Sequence, residues 1–232
     1  SASASEIFAA AMQDYKRAVI VGTSDATFGK GTVQQFMDMD NYLTAEYDTV
    51  KPLGAVKITM QKFYRVNGGA TQLKGVIPDL VLPDAYSEIE SGEKELDYPM
   101  QWDEISPADY KSWAGTDISK LKLQSSARIK KNSSFELVKE QAEFFKRKKD
   151  DTKYSLNLKK FREEEKSLLA KSKKFEAIRT DIKNFDTELL QEDLNRILQD
   201  TAKVTKEKKW AQSLKKDVHL FETANILEDF LK

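Results

Sequence analysis

The 232-residue chain contains no cysteine. That excludes disulfides, thiolate-bound zinc and thiol nucleophiles. It is compatible with an oxidising compartment and does not require one. There is a single histidine, His219, so a Ser-His-Asp triad is possible only through that residue. No apolar run approaches the ~18 residues that a membrane span needs. Lysine plus arginine balances aspartate plus glutamate, 38 against 38, which removes any global electrostatic case for a nucleic-acid partner. The sequence opens at Ser1 with neither an initiator Met nor a signal peptide, and the expectation is a piece of a longer protein.

Glycine and proline are scarce and unevenly placed. None of the 9 glycines or 5 prolines lies beyond Gly115. What fills the remainder is lysine and glutamate, a helical composition, and the 33% of charged residues fits long solvated helices. The length suggests two units, since domains commonly run to ~100–150 residues. Residues 1–84 hold most of the glycines and the β-branched strand signals. Residues 85–115, with Pro99, Trp102, Pro107 and Trp113, read as a connector that packs on something. Residues 116–232 read as a helical domain.

Within the first part, Ile7, Ala10, Ala11 and Asp14 predict a helix ending near Lys16 or Arg17. Ala18 to Val21 is a short apolar run before Gly22, as in a buried strand. Thr27 to Gly31 is a glycine-bracketed turn, and Thr32 to Met37 a strand leaving it. Val56 to Gln61 alternates with period two. Asn67-Gly68-Gly69 is a hairpin signal, and Val76 to Leu82 a short strand interrupted by Pro78. In the last part, Phe135, Val138, Ala142 and Phe145 form one helical stripe. Leu158, Phe161 and Leu168-Leu169 form another, and Leu220, Phe221, Ala224, Leu227 and Leu231 a third.

The chemistry concentrates near the start. Ser3 with Glu6 fits the Ser-x-x-Glu capping box, the common and unremarked use of serine before an apolar helix. A serine there also has its hydroxyl beside free backbone N–H groups that can stabilise an oxyanion. As a nucleophile it needs a base. His219 is more than two hundred positions away. A lysine serves if it can take a proton. Lys30, between Gly29 and Gly31 and flanked by Phe28, differs from the lysines on polar helical faces. On a strand, Lys30, Thr32 and Gln34 share a face, so Gln34 has the reach to orient the amine. The alternative is a solvated turn lysine, and the residues alone do not choose.

Three segments together resemble the C-terminal processing peptidases, also called tail-specific proteases. They are Ser1-Ala2-Ser3-Ala4-Ser5-Glu6, then Gln13-Asp14-Tyr15 with Arg17-Ala18, then Thr27-Phe28-Gly29-Lys30-Gly31-Thr32-Val33-Gln34. Gln61-Lys62-Phe63-Tyr64-Arg65-Val66-Asn67-Gly68-Gly69 and Lys74-Gly75-Val76 with Pro78-Asp79 continue the likeness, and Ala127-Arg128-Ile129 and Ser155-Leu156-Asn157 extend it more weakly. The long tail-specific type is the most similar. Thr23-Ser24-Asp25-Ala26 makes the chain about two residues longer than that pattern.

The resemblance implies Ser3 as nucleophile, with Ser1 and Ser5 as rivals, Lys30 as general base and Gln34 as the residue that positions it. Glu6, Asp14 and Thr27 support the site, Asp14 structurally. It implies a serine endopeptidase acting near protein C-termini, with protein or peptide substrates bearing apolar tails and no metal or organic cofactor. It also implies a PDZ-like domain and an oxyanion segment upstream in the same parent chain, so the expected activity of these 232 residues alone is weak or nil. The fold implied is α+β: a truncated protease core of mixed sheet and packed helix, then a helical C-terminal domain. The implied compartment is the periplasm or envelope of a Gram-negative bacterium. Unpaired sheet edges make a homo-oligomer an option. The competing functional classes are a non-catalytic scaffold, in which the helical part docks partners, and an inactive family member, against which the intact Ser3, Lys30 and Gln34 set argues.

Overall fold

The computed structural model describes residues 2–232, and the chain divides into two units. The first comprises the chain up to Val81 together with Glu90–Gly115; the second comprises Leu82–Ile89 and Thr116–Lys232. Strands and a helix make the first and helices make the second, an α+β arrangement. No helix among the described residues is long and apolar enough to cross a membrane.

In the first unit, helix α1 (Ala4–Asp14) is followed by β1 (Val21–Gly22), β2 (Thr32–Asp38), β3 (Ala55–Lys62) and β4 (Leu80–Val81). The strands form two separate two-stranded sheets, β1 parallel to β4 and β2 antiparallel to β3. The alternating segments gave the long β2–β3 ladder, whose register slips between Val33 and Gln34, where β3 carries the extra residue Met60. The outer pair is shorter than the apolar runs predict. Thr27 N donates to Val76 O at 3.0 Å and Val76 N to the Thr27 hydroxyl at 2.9 Å, so Val76 bonds a turn and not a strand. Pro78 has no N–H to give.

Residues 90–115 are pinned along the Asn67 hairpin. Ile105 N donates to Gly68 O (2.9 Å), Ala108 N to Val66 O (2.9 Å), Trp102 Nε1 to Ala70 O (2.9 Å) and Trp113 N to Tyr15 O (2.9 Å). Lys62 Nζ donates to Gln101 O at 2.6 Å and pairs with Asp103 at 2.7 Å. That lysine's hydrogen bond holds the Asp103 carboxyl below its ordinary value. Desolvation and the bond to Asp103 push Tyr64 up.

The second unit contains α2 (Ile118–Lys131), α3 (Ser133–Asp150), α4 (Leu158–Lys173), α5 (Gln191–Ile197), α6 (Thr201–Leu214) and α7 (Val218–Phe230). Asp117, Asn132, Asn157, Asp200 and Asp217 cap five of them through side-chain oxygens, which satisfies backbone donors that a helix start leaves free. The core is Leu82, Leu121, Ile129, Phe135, Val138, Ala142, Ala211, Val218 and Ile226. The α3 stripe is therefore buried as expected. The other two stripes are not. Leu158 and Leu169 on α4 stay about 61% and 60% exposed. On α7 the buried line is Val218, Glu222 and Ile226, and Leu227 and Leu231 face solvent. On α7 an ion pair accounts for the shift. Arg128 of α2 bonds both Glu222 oxygens through Nε (3.0 and 3.1 Å) and Asp229 through Nη1 (2.5 Å), and this draws a polar residue of α7 inward.

Candidate active site

Helix α1 begins at a strained serine. Ser3, its N-cap, has φ 55, a left-handed conformation that is costly for a residue with a side chain. What holds it there is Glu6, completely buried. Ser3 N donates to Glu6 Oε2 at 2.8 Å, while Glu6 N donates to Ser3 O at 2.9 Å. The carboxylate therefore closes the capping box from its side. The Ser3 hydroxyl oxygen faces Glu6 N, the other half of the box, and is half-buried at the helix N-terminus.

The same carboxylate reaches a second segment twenty residues on. Gly29 N donates to Oε1 at 2.6 Å, Lys30 N donates to Oε2 at 2.9 Å, and the Thr27 hydroxyl donates to Oε1. A buried carboxylate is tolerated only with such partners. One side chain thus ties the backbone of Ser3 to the backbone of Lys30. The turn itself depends on glycine: Gly29 has φ 85, and a Cβ there would sit 3.0 Å from Leu73 O. Opposite, Gly75 has φ 62 and a Cβ would meet Thr27 O at 2.5 Å, so the two loops touch backbone to backbone.

Lys30 is half-buried, and its amine forms no hydrogen bond or ion pair among the described residues. Ser3 and Lys30 are brought to one carboxylate without a direct bond between their side chains. Gln34 lies on β2, exposed and without a side-chain hydrogen bond among the described residues. Ser5 is exposed in the first turn of α1, and Ser1 lies outside the described residues.

Asp14 closes the far end of α1, about 12 Å along the axis from Glu6 at 1.5 Å per residue. Its carboxylate takes a two-pronged bond from Arg65, Nε at 2.9 Å and Nη2 at 2.6 Å, and one from Asn67 at 3.2 Å. Arg65 also bonds Gln13 (2.9 Å), which donates to Ile77 O (2.8 Å) and Asp79 (3.1 Å). Asp79 in turn accepts from Ile20 N at 2.8 Å. This network docks the helix on the hairpin and beside β1. His219 is remote in chemistry as well: its Nε2 meets Pro83 O at 2.7 Å, and its ring packs edge-on to Phe135.

Residues 86–232 match the family described as the C-terminal domain of tail specific protease, and residues 1–82 match peptidase family S41. The chain belongs to the tail-specific protease family. It is similar to the tail-specific protease of Haemophilus influenzae, 44% identical over 165 residues, covering 68% of this chain and 23% of that protein. The carboxy-terminal-processing protease of Bartonella bacilliformis is 40% identical over 105 residues, 41% of this chain and 20% of that one. The carboxy-terminal processing protease CtpB of Bacillus subtilis is 34% identical over 105 residues, 44% and 18%. The chain thus spans about a fifth of the length of these relatives. The two family matches divide at residues 82–86, whereas Glu90–Gly115 belongs to the first structural unit.

Sequence reading passed over three groups at this site. Gln13 and Arg65 stood in the motifs without a role. Gln72 was not singled out at all, although it is fully buried against Gly31. A glutamine two residues after an apolar Ala70 and three before Gly75 carries no periodicity that marks it as interior.

Proposed function

We propose that the protein containing this chain is a serine endopeptidase that cuts proteins at or near their C-terminal tails, with Ser3 as nucleophile and Lys30 as general base. The observation that carries this reading is the Glu6 carboxylate, which accepts from Ser3 N at one side and from Gly29 N and Lys30 N at the other. It fixes the two backbones from which the reacting groups extend, and positioning of that kind is a large part of catalysis. The placement of the half-buried Ser3 hydroxyl at the start of α1, beside free backbone N–H groups, is the second support.

In the proposed reaction, Ser3 Oγ bonds to the scissile carbonyl carbon as its proton passes to Lys30 Nζ. The proton then moves to the departing nitrogen as the C–N bond breaks, and an acyl-ester remains on Ser3. Water attacks the ester with the same lysine taking its proton, which restores the free serine. Gln34 orients the amine in this scheme, and Glu6 and Thr27 position the two segments. Substrates are proteins with apolar, unfolded C-termini. A PDZ-like domain and an oxyanion segment supplied by the parent chain complete the site, and these 232 residues alone are weakly active or inactive. The proposed compartment is the bacterial periplasm or envelope.

The test uses the full-length protein and an unfolded substrate with an apolar C-terminus. Ser3→Ala and Lys30→Ala each abolish cleavage in folded protein, while Ser5→Ala retains it. Loss with Ser5→Ala and retention with Ser3→Ala moves the nucleophile. Full activity in all three favours the scaffold reading.

A further inference from the structure

Lys30 has no partner of its own to hold it among the described residues, so its position follows from its backbone. That backbone is fixed at both flanking glycines. Gly29 N donates to Glu6, and Gly29 O accepts from Leu73 N at 2.8 Å. Gly31 O accepts from Phe63 N at 3.0 Å, and Gly31 N donates to Gln72 Oε1 at 2.8 Å. The contact with Gln72 is close: a Cβ on Gly31 would lie 2.6 Å from Gln72 N.

Gln72 is completely buried, where an unpaired amide is costly. Its other end is satisfied by the segment Glu90–Gly115. Gln72 Nε2 donates to Met100 O at 3.0 Å and lies 3.4 Å from Glu93 Oε1, while Glu93 N donates to Phe28 O at 2.8 Å, on the near side of the same turn. Next to it, Lys74 Nζ sits 3.2 Å over the Trp102 ring, and Trp102 Nε1 bonds Ala70 O. The amide bridges the lysine turn to residues that lie beyond the matched peptidase region, which ends at residue 82.

We propose that Gln72 is a positioning residue for Lys30, and that Glu90–Gly115 is the brace that holds it rather than a spacer. The proposal rests on Lys30 being the general base. Gln72 acts on the amine through the Gly31 peptide, so it governs turnover and not substrate affinity.

Two substitutions in the full-length protein test it. Gln72→Leu keeps the bulk and removes both hydrogen bonds. Gln72→Glu keeps an acceptor for Gly31 N but loses the donor to Met100 O and sets a second carboxylate beside Glu93. Adding Glu93→Gln restores a donor to that carboxylate. The expected result for Gln72→Glu is a fall in kcat of roughly tenfold to a hundredfold, the scale of an ångström-sized misplacement, with KM little changed. Glu93→Gln recovers most of the loss in the double variant. A Gln72 variant that folds and keeps its kcat overturns the proposal, as does a kcat loss that Glu93→Gln fails to rescue. Should Gln72→Leu not fold, the Gln72→Glu and Glu93→Gln pair decides. Lys30→Ala in parallel separates the two claims. If it is inactive while the Gln72 variants are unchanged, only the Gln72 proposal falls. If it is active, the assignment of the base falls and takes this proposal with it.

Discussion

Replacing Glu6 by Gln exchanges one oxygen for an amide nitrogen in the group that the Ser3 and Lys30 backbones share. The buried carboxylate accepts four hydrogen bonds, from Ser3 N and Lys30 N on Oε2 and from Gly29 N and the Thr27 hydroxyl on Oε1. Glutamine has one acceptor oxygen and one amide that can only donate. The best orientation keeps the oxygen on Ser3 N and Lys30 N. The Thr27 hydroxyl can rotate to accept, since its oxygen has lone pairs for both the new amide and Val76 N. Gly29 N has no such freedom and is left facing a donor. An unsatisfied buried donor costs about 1–3 kcal/mol, and the surviving bonds lose their charge assistance, so we expect Glu6→Gln to cost on the order of 2–3 kcal/mol. Glu6→Ala loses all four accepted hydrogen bonds and costs on the order of 4 kcal/mol or more, a large part of a domain's ~5–15 kcal/mol. Urea unfolding followed by tryptophan emission in a Trp210→Phe background reads the loss in the first unit, which holds Trp102 and Trp113. Stability within ~0.5 kcal/mol of wild type for Glu6→Gln would refute the reasoning, because a change of that size is what an unremarkable surface site gives.

Three further outcomes follow from the same geometry. Arg65→Met leaves Asp14, whose side chain is only 6% exposed, without its cation and with Asn67 alone; the expected cost is about 3 kcal/mol, read as a lowered midpoint in urea. Lys62 holds the Asp103 carboxyl below its ordinary 3.8, so the stabilisation this gives is complete above that value and is lost as pH falls below it through the lowered one. Lys62→Met is therefore expected to lower stability at neutral pH and to flatten the acid limb, so that variant and wild type converge in acid; urea midpoints measured across pH read this, and equal stability at neutral pH would contradict it. In the second unit, Arg128→Met strands Glu222, which is 3% exposed, and Asp229, which is 11% exposed, at a cost of about 3–5 kcal/mol, whereas an apolar replacement of Arg128, Glu222 and Asp229 together costs little; thermal melts of both separate the cases.

The parts of the fold that were legible in the sequence are those where one period dominates. The alternation of Val56 to Gln61 and the stripe of Phe135, Val138 and Ala142 emerge as β3 and as the buried face of α3. The buried face of α7 departs from the apolar stripe because burial there follows charge: Glu222 points inward to Arg128, and Leu227 and Leu231 stay out. The strands at 18–21 and 76–82 shrink to two residues each because Val76 is bonded to Thr27 and Pro78 cannot donate. At the site, Glu6 was legible as a cap, but its bonds to Gly29 and Lys30 cross more than twenty residues, which no local pattern encodes. Gln72 was illegible for the same reason.

The central claim is that Ser3 is a nucleophile activated by Lys30. The most direct measurement is to treat the full-length protein with a serine-directed fluorophosphonate and map the adduct by mass spectrometry. The account predicts a single adduct on Ser3, absent in Lys30→Ala protein that is otherwise folded. An adduct on Ser1 or Ser5, or labelling of Ser3 that does not change when Lys30 is removed, would contradict it.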